Sequence, residues 1–273
     1  MYTEETLTML REKAKQLRRD VITCVGVGTA GHVGGSCSSA DLVAALYFYK
    51  MHYSAADPKL ESRDRFLLSK GHAAILQYAA LAEAGFFPRE ELKTTKDLGS
   101  RLQGHPDRLK TPGVEAGTGS LGQGLSIGLG MALSLRLDKN PAHVYVLIGD
   151  GELSEGQNWE AAMAAAAFKL DHLVAIVDNN GLQATGRLKD RMDPGDLKAK
   201  WAAFGWNVIE IDGHHMKQIV DALDQADLVQ GRPTVILAHT VKGKGISFAE
   251  NVPSFHNGTL TQELYDQAMR ELQ

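Results

Sequence analysis

Apolar positions along the chain follow two periods. Leu7, Leu10, Leu17 and Val21 recur at helical spacing among Arg and Lys, which predicts an amphipathic helix from about Glu4 to about Val25, leading into a Gly-rich turn. Ser39-Ala40-Asp41 can cap a second helix over the run Leu42 to Tyr49, and Gly71-His72 opens a third, Ala73 to Ala84, ended by Gly85. Arg65-Phe66-Leu67-Leu68-Ser69 reads as a strand between them. From Leu98 to Gly124 the pattern is that of a loop, of a length that is usually functional, before a small-residue helix runs from Gln123 through Leu135. Two longer apolar runs, Val144 to Ile148 and His172 to Val177, read as strands flanking an Ala-rich helix from Asn158 to Phe168. A polar loop, a helix near Leu197 to Phe204, the strand Asn207 to Ile211, a helix Met216 to Leu228, the strand Thr234 to Leu237 and a capping helix from Leu260 to Leu272 complete the order. Such alternation predicts one α/β domain over residues 1–273, with a mostly parallel central sheet and helices on both faces.

The chemistry sits at the carboxyl ends of the two longer strands. Gly149-Asp150-Gly151 follows the first and Asp178-Asn179-Asn180-Gly181 follows the second. A right-handed crossover makes the two strands parallel neighbours and brings both turns to one edge. A carboxylate and a carboxamide are hard oxygen donors, suited to an octahedral divalent cation that keeps phosphate oxygens as further ligands. Gly151 lets the backbone approach a phosphate closely. Each string alone is a common turn; the pair, at this spacing after two apolar strands, is specific.

These residues, within Gly149-Asp150-Gly151-Glu152-Leu153-Ser154-Glu155-Gly156 and Val177-Asp178-Asn179-Asn180-Gly181-Leu182, resemble the amino-terminal half of a transketolase and its thiamine diphosphate motif. The resemblance runs from about residue 5 to about residue 265. It implies the thiamin diphosphate-binding fold, with Mg2+ or Ca2+ held by Asp150, the side chain of Asn180 and the backbone carbonyl of Leu182.

Two Gly-x-Gly-x-x-Gly strings, Gly26 to Gly31 and Gly117 to Gly122, follow no convincing strand, which argues against a nicotinamide site. The second opens a helix, whose free N–H groups favour a diphosphate. The resemblance places Gly119, Ser120 and Leu121 in the cofactor's wall. It also puts Glu155 near the cofactor at a subunit contact, although a solvated turn carboxylate would read the same way. His32, His72, His105 and His256 all stand in Gly-rich or loop contexts that match active-site histidines of transketolases. Ketol transfer needs a proton removed from a hydroxyl, a proton returned to a carbonyl oxygen and donors to an alkoxide, and imidazole can serve each need near neutral pH. By resemblance, His32 and His256 handle substrate hydroxyls and proton transfer, His105 contacts the donor sugar and His72 approaches the diphosphate, with His256 reaching the cofactor as well. Val33 replaces a proline common in the family, which frees a backbone N–H and loosens that turn. His143, His172, His214, His215 and His239 read as structural or surface residues; Lys242-Gly243-Lys244-Gly245 reads equally as an anion-steering segment or a solvated basic loop.

A net charge of −4 gives no general attraction to nucleic acid or to an anionic membrane. No run of eighteen apolar residues occurs, and acid stands at Glu4 and Glu5 where a secretory signal carries base. With Cys24 and Cys37 as the two cysteines, a reducing cytoplasm is the expected location.

Thiamine diphosphate also requires a glutamate against its aminopyrimidine, which transketolases supply from a second, pyrimidine-binding domain. The expectation is therefore a split enzyme, inactive alone, whose partner is a carboxy-terminal subunit bringing that glutamate, with two cofactor sites in a heterotetramer and sugar phosphates as default substrates. Alternatives are the α subunit of a 2-oxo acid dehydrogenase, which shares the metal motif without the histidines, and a non-catalytic cofactor-binding module. 1-Deoxyxylulose-5-phosphate synthase is a third relative, normally one long chain.

Overall fold

A computed structural model describes residues 2–273. Five parallel strands form the central sheet: β1 (Arg65–Leu68), β2 (Val144–Gly149), β3 (Leu173–Asn179), β4 (Asn207–Asp212) and β5 (Thr234–His239), in spatial order β1-β2-β3-β5-β4. Because successive strand side chains point to opposite faces, each strand feeds two cores. Phe66, Leu68, Tyr145, Leu147, Val174, Ile176 and Ile236 enter one, while Leu67, Val144, Val146, Ala175, Val177 and Val235 enter the other. Burial on both faces is why the strands read as continuous apolar runs.

The first core is covered by α1 (Glu4–Val25), α2 (Val33–Ser38), α3 (Ala40–Ala45), α4 (Ala74–Glu83), α8 (Met216–Asp227) and α9 (Gln262–Glu271). The second is covered by α5 (Gln123–Leu137), α6 (Gly156–Ala167) and α7 (Leu197–Ala203). Helix α6 is the crossover between β2 and β3, and the register pairs Gly149 with Asp178. Asp150 and Asn180 consequently leave neighbouring strand ends on the same edge. No helix among the described residues is long and apolar enough to cross a membrane.

One expectation changes. The segment after α1 is not all turn, since Val33-Gly34-Gly35-Ser36-Cys37-Ser38 is helical and fully buried. Ser39 does not cap the next helix; it joins α2 to α3, which ends in a wider π turn, Leu46–Lys50. Packing overrides the poor helix propensity of Gly34 and Gly35. A Cβ on Gly34 would stand 3.0 Å from the Lys242 side chain and from the Phe255 carbonyl oxygen, so that glycine lets α2 lie close to what proves to be a cluster of functional side chains, whereas Gly35 has ordinary contact room beside His72. Val33 occupies the first helical position, where an N–H has no partner within the helix in any case, so the freed donor disturbs nothing there.

Candidate active site

A cavity of about 360 Å3 opens at the carboxyl ends of β2 and β3. Its lining includes His72, Leu121, Asp150, Asn180, Lys242 and His256. Gly151, Glu155 and Leu182 line it too.

Asp150 is 2% exposed and follows directly on β2. Its Oδ1 accepts the Gly151 N–H at 2.7 Å and its Oδ2 accepts the Gly181 N–H at 2.5 Å, so the carboxylate bridges the two strand-end turns. Burial, and then the neighbouring Asp178 carboxylate, push its carboxyl up to about 6. A buried carboxylate in that state is a seat for a cation. Asn180 presents Oδ1 to the Leu182 N–H at 3.1 Å while its Nδ2 donates to Asp178 Oδ2 at 2.9 Å. The Leu182 carbonyl accepts the Lys242 ammonium at 2.9 Å, which leaves one of its two lone pairs for a metal. Donor chemistry at this corner therefore suits a hard divalent ion, although the ammonium at Leu182 would sit close to it.

Three imidazoles cluster beside the cavity, His72 and His256 in its lining and His32 against both. Ring centroids lie 5.2 Å apart for His32 and His72, 5.4 Å for His32 and His256, and 5.0 Å for His72 and His256. Burial lowers all three: His32 to about 4 with help from Lys96, His72 to about 2 with help from Lys70, and His256 to about 4 with help from Lys242. Each ring is thus neutral at pH 7 and offers one donor and one acceptor. Lys242 Nζ donates to His256 Nδ1 at 3.0 Å, which leaves the proton of that ring on Nε2.

His105 is exposed and lies outside the cavity lining; its ring packs so close to Gly119 that a Cβ there would lie 2.6 Å from His105 Cδ2. Gly119 has φ 138°, and its N lies 2.6 Å from where a Cβ on Gly71 would be, so the turn before α5 presses against the His72 turn. Ser120 and Glu155 are exposed. The structure thus brings His32, His72, His256, Asp150, Asn180 and Leu182 together, and leaves His105, Ser120 and Glu155 on the open side.

Sequence reasoning passes over the charges beneath the cavity. Lys70, 2% exposed, donates to Gly35 O at 2.7 Å, Ser39 Oγ at 2.6 Å and Asp178 Oδ2 at 2.6 Å. Asp178 is wholly buried and also accepts Ser38 Oγ at 2.7 Å and the Thr240 hydroxyl; burial alone would raise its carboxyl, but the Lys70 ammonium holds it below the ordinary range. Glu152, 2% exposed, accepts the Gly122 N–H at 2.9 Å, the Gly149 N–H at 3.1 Å and the Ser69 hydroxyl, tying the start of α5 to the ends of β1 and β2. Lys242 corrects the basic-loop reading: it is 3% exposed, inside the cavity, and burial followed by Lys70 lowers its ammonium to about 8. The signals are present as charged residues directly beside glycines and apolar runs, but nothing local names their partners.

Residues 10–272 match the family model described as transketolase, thiamine diphosphate binding domain. The chain is 45% identical over 264 residues to the 6-deoxy-6-sulfo-D-fructose transketolase subunit of Clostridium sp. (strain MSTE9), covering 97% of this chain and 96% of that one. It is 42% identical over 268 residues to an apulose-4-phosphate transketolase subunit of Phocaeicola vulgatus, covering 98% and 94%. Among solved structures, transketolase from Campylobacter jejuni superposes with a TM-score of 0.91 at 31% identity, over 100% of this chain and 43% of that one. The chain spans about two-fifths of the length of the solved transketolases it matches.

Proposed function

Because the chain belongs to the transketolase family, we propose that it is the diphosphate-binding subunit of a two-chain transketolase, a transferase that moves a two-carbon ketol unit from a ketose to an aldose. Thiamine diphosphate, when bound, supplies the carbanion chemistry that breaks and remakes the carbon–carbon bond. The chain's own residues bind, orient and exchange protons. Asp150, the Asn180 side chain and the Leu182 carbonyl hold Mg2+ or Ca2+, and Gly151 leaves room for the diphosphate. His72, Gly119, Ser120, Leu121, Glu155 and His256 form the cofactor's surroundings. Lys242 adds a cation beside the anionic tail.

The single observation that carries this reading is a buried carboxylate, raised by its own burial, next to a carboxamide on the neighbouring strand end and opening onto three neutral imidazoles. Neutral imidazoles can take a proton from a sugar hydroxyl and return one to a carbonyl oxygen. His32 and His256 fill those roles, with His105 to contact the donor sugar's oxygens. An α subunit of a 2-oxo acid dehydrogenase would have no use for this ring of histidines.

Two relatives named as subunits match over 96% and 94% of their lengths, which supports a separate carboxy-terminal chain that brings the pyrimidine-binding domain and its glutamate. The proposed assembly is a heterotetramer with two cofactor sites, and the proposed location is the cytoplasm. The names of those relatives specify a sulfonated and a phosphorylated sugar, so an anionic ketose is the proposed donor. The test is to purify the chain and a carboxy-terminal transketolase chain of the same organism, and to assay each alone and both together. Thiamine diphosphate, Mg2+, a panel of aldose acceptors and ketose donors bearing phosphate, sulfonate or neither are supplied. Turnover is expected from the pair alone; turnover by the single chain refutes the two-chain reading, and none from the pair with any ketose refutes the activity.

A further inference from the structure

His214 follows β4 in the turn Asp212-Gly213-His214 and does not touch the cavity, yet it is tied to it on both sides. Its Nε2 accepts the Val241 N–H at 2.8 Å, and its Nδ1 lies 2.8 Å from Asp41 Oδ2. An imidazole that accepts at Nε2 carries its proton on Nδ1, so it donates to Asp41. Asp41 in turn accepts the Arg18 guanidinium, with Nη2 at 2.5 Å from Oδ2, and Arg18 Nε holds the Cys37 carbonyl at 3.2 Å. Side chains of Arg18, Asp41 and His214 are 7, 11 and 14% exposed. Side chains from α1, α3 and the turn after β4 thereby form one chain of contacts, and its last member, His214, accepts the Val241 amide.

That amide belongs to the residue before Lys242. The neighbouring contacts are of the same kind: the Thr240 hydroxyl donates to Asp178, and the Gly243 N–H donates to Gly34 O at 2.9 Å. Lys242 is held between them and reaches the Leu182 carbonyl and His256 Nδ1. Without the Val241 anchor, a buried ammonium would have an easier exit to solvent, since its desolvation opposes its place in the cavity.

We propose that Arg18, Asp41 and His214 form a positioning relay that fixes the Val241–Lys242 peptide, and through it holds the Lys242 ammonium in the cofactor cavity. The inference rests on the functional reading above for the role of Lys242, but the relay itself has a test that does not. His214→Asn keeps a donor near Nδ1 and cannot reach Val241; His214→Gln keeps an acceptor at the distance of Nε2. In the cofactor-free full chain, hydrogen–deuterium exchange across Val241 to Gly245 rises in His214→Asn and less in His214→Gln. Equal exchange in wild type and His214→Asn overturns the relay.

In the reconstituted pair, thiamine diphosphate with Mg2+ is titrated calorimetrically. His214→Asn raises Kd about tenfold, the scale of one lost hydrogen bond, and His214→Gln restores part of it. Lys242→Met raises Kd as well, and adding His214→Asn to Lys242→Met raises it no further, because the relay acts through that lysine. Multiplying effects in the double variant, or a lower melting temperature with unchanged Kd, overturns the proposal. If the wild-type pair binds no thiamine diphosphate, the functional reading fails and the exchange experiment alone decides the relay.

Discussion

Replacing Lys70 by Met tests whether its buried pair with Asp178 sets the stability of the fold. The substitution keeps length and apolar volume but removes the charge that faces Asp178 Oδ2 at 2.6 Å. Both partners are almost wholly buried, at 2% and 0% of the side chain, so the carboxylate left behind is largely desolvated. Three neutral donors remain on it, from Ser38, Thr240 and Asn180. Breaking one side of a buried pair costs roughly 3–5 kcal/mol, and about 2–4 °C of melting temperature accompanies each kcal/mol in a domain of this size, so Lys70→Met should melt about 6–20 °C lower at pH 7.5. Adding Asp178→Asn removes the orphaned charge and should recover part of that loss. The sign with pH is fixed by Asp178, whose folded carboxyl lies below its ordinary value of 3.8. The pair's contribution is present above 3.8 and is lost as pH falls through the lower folded value, so the gap between wild type and Lys70→Met narrows in acid. Thermal and urea unfolding followed by circular dichroism read all of this. A single variant within about 1 kcal/mol of wild type, or a double variant whose loss equals the sum of the two singles, would refute the argument.

Three further outcomes are expected. Asp150→Ala should fold and melt no lower than wild type without divalent cation, since it removes a carboxylate that burial disfavours, but in the reconstituted pair it should weaken thiamine diphosphate and Mg2+ binding by about 100-fold or more, read by calorimetry. Asp20→Asn should stabilise the chain at pH 8 by ~1–2 kcal/mol in urea unfolding: burial lifts the Asp20 carboxyl to about 6, its Oδ2 has no partner among the described residues, and the cost of its charge is full above 6 and fades as pH falls toward 3.8. A gain that grows toward pH 4 would contradict that sign. Gly71→Ala should cost ~1–3 kcal/mol, because its Cβ would lie 2.6 Å from Gly119 N and from Thr118 C, both backbone atoms that cannot turn aside; an unchanged melting temperature would show that the two turns do not touch.

What can be read from the residues and what cannot divides along the range of the interactions. Strand–turn–helix–strand from Val144 to Asn179 is a local pattern, and the handedness of the crossover then forces Gly149 opposite Asp178, so Asp150 and Asn180 meet at one edge with no further information. Gly85 ends α4 with φ 87°, as its position after an apolar helix demands. Helix α2 is hidden because two glycines argue locally for a turn, and what favours glycine at position 34 is the approach of Lys242 and the Phe255 carbonyl from elements far along the chain. The same holds for the charges: Lys70 and Asp178 are 108 positions apart, and Val241 and His214 are 27 apart, so no spacing rule joins them. A lysine beside glycines reads as solvated until the fold encloses it, and at Lys242 the enclosure is what lowers its ammonium to about 8 and turns a surface charge into part of the cavity. Local pattern therefore locates the donors that face the cavity, whereas the buried charges that aim them are determined by which distant elements the sheet brings side by side.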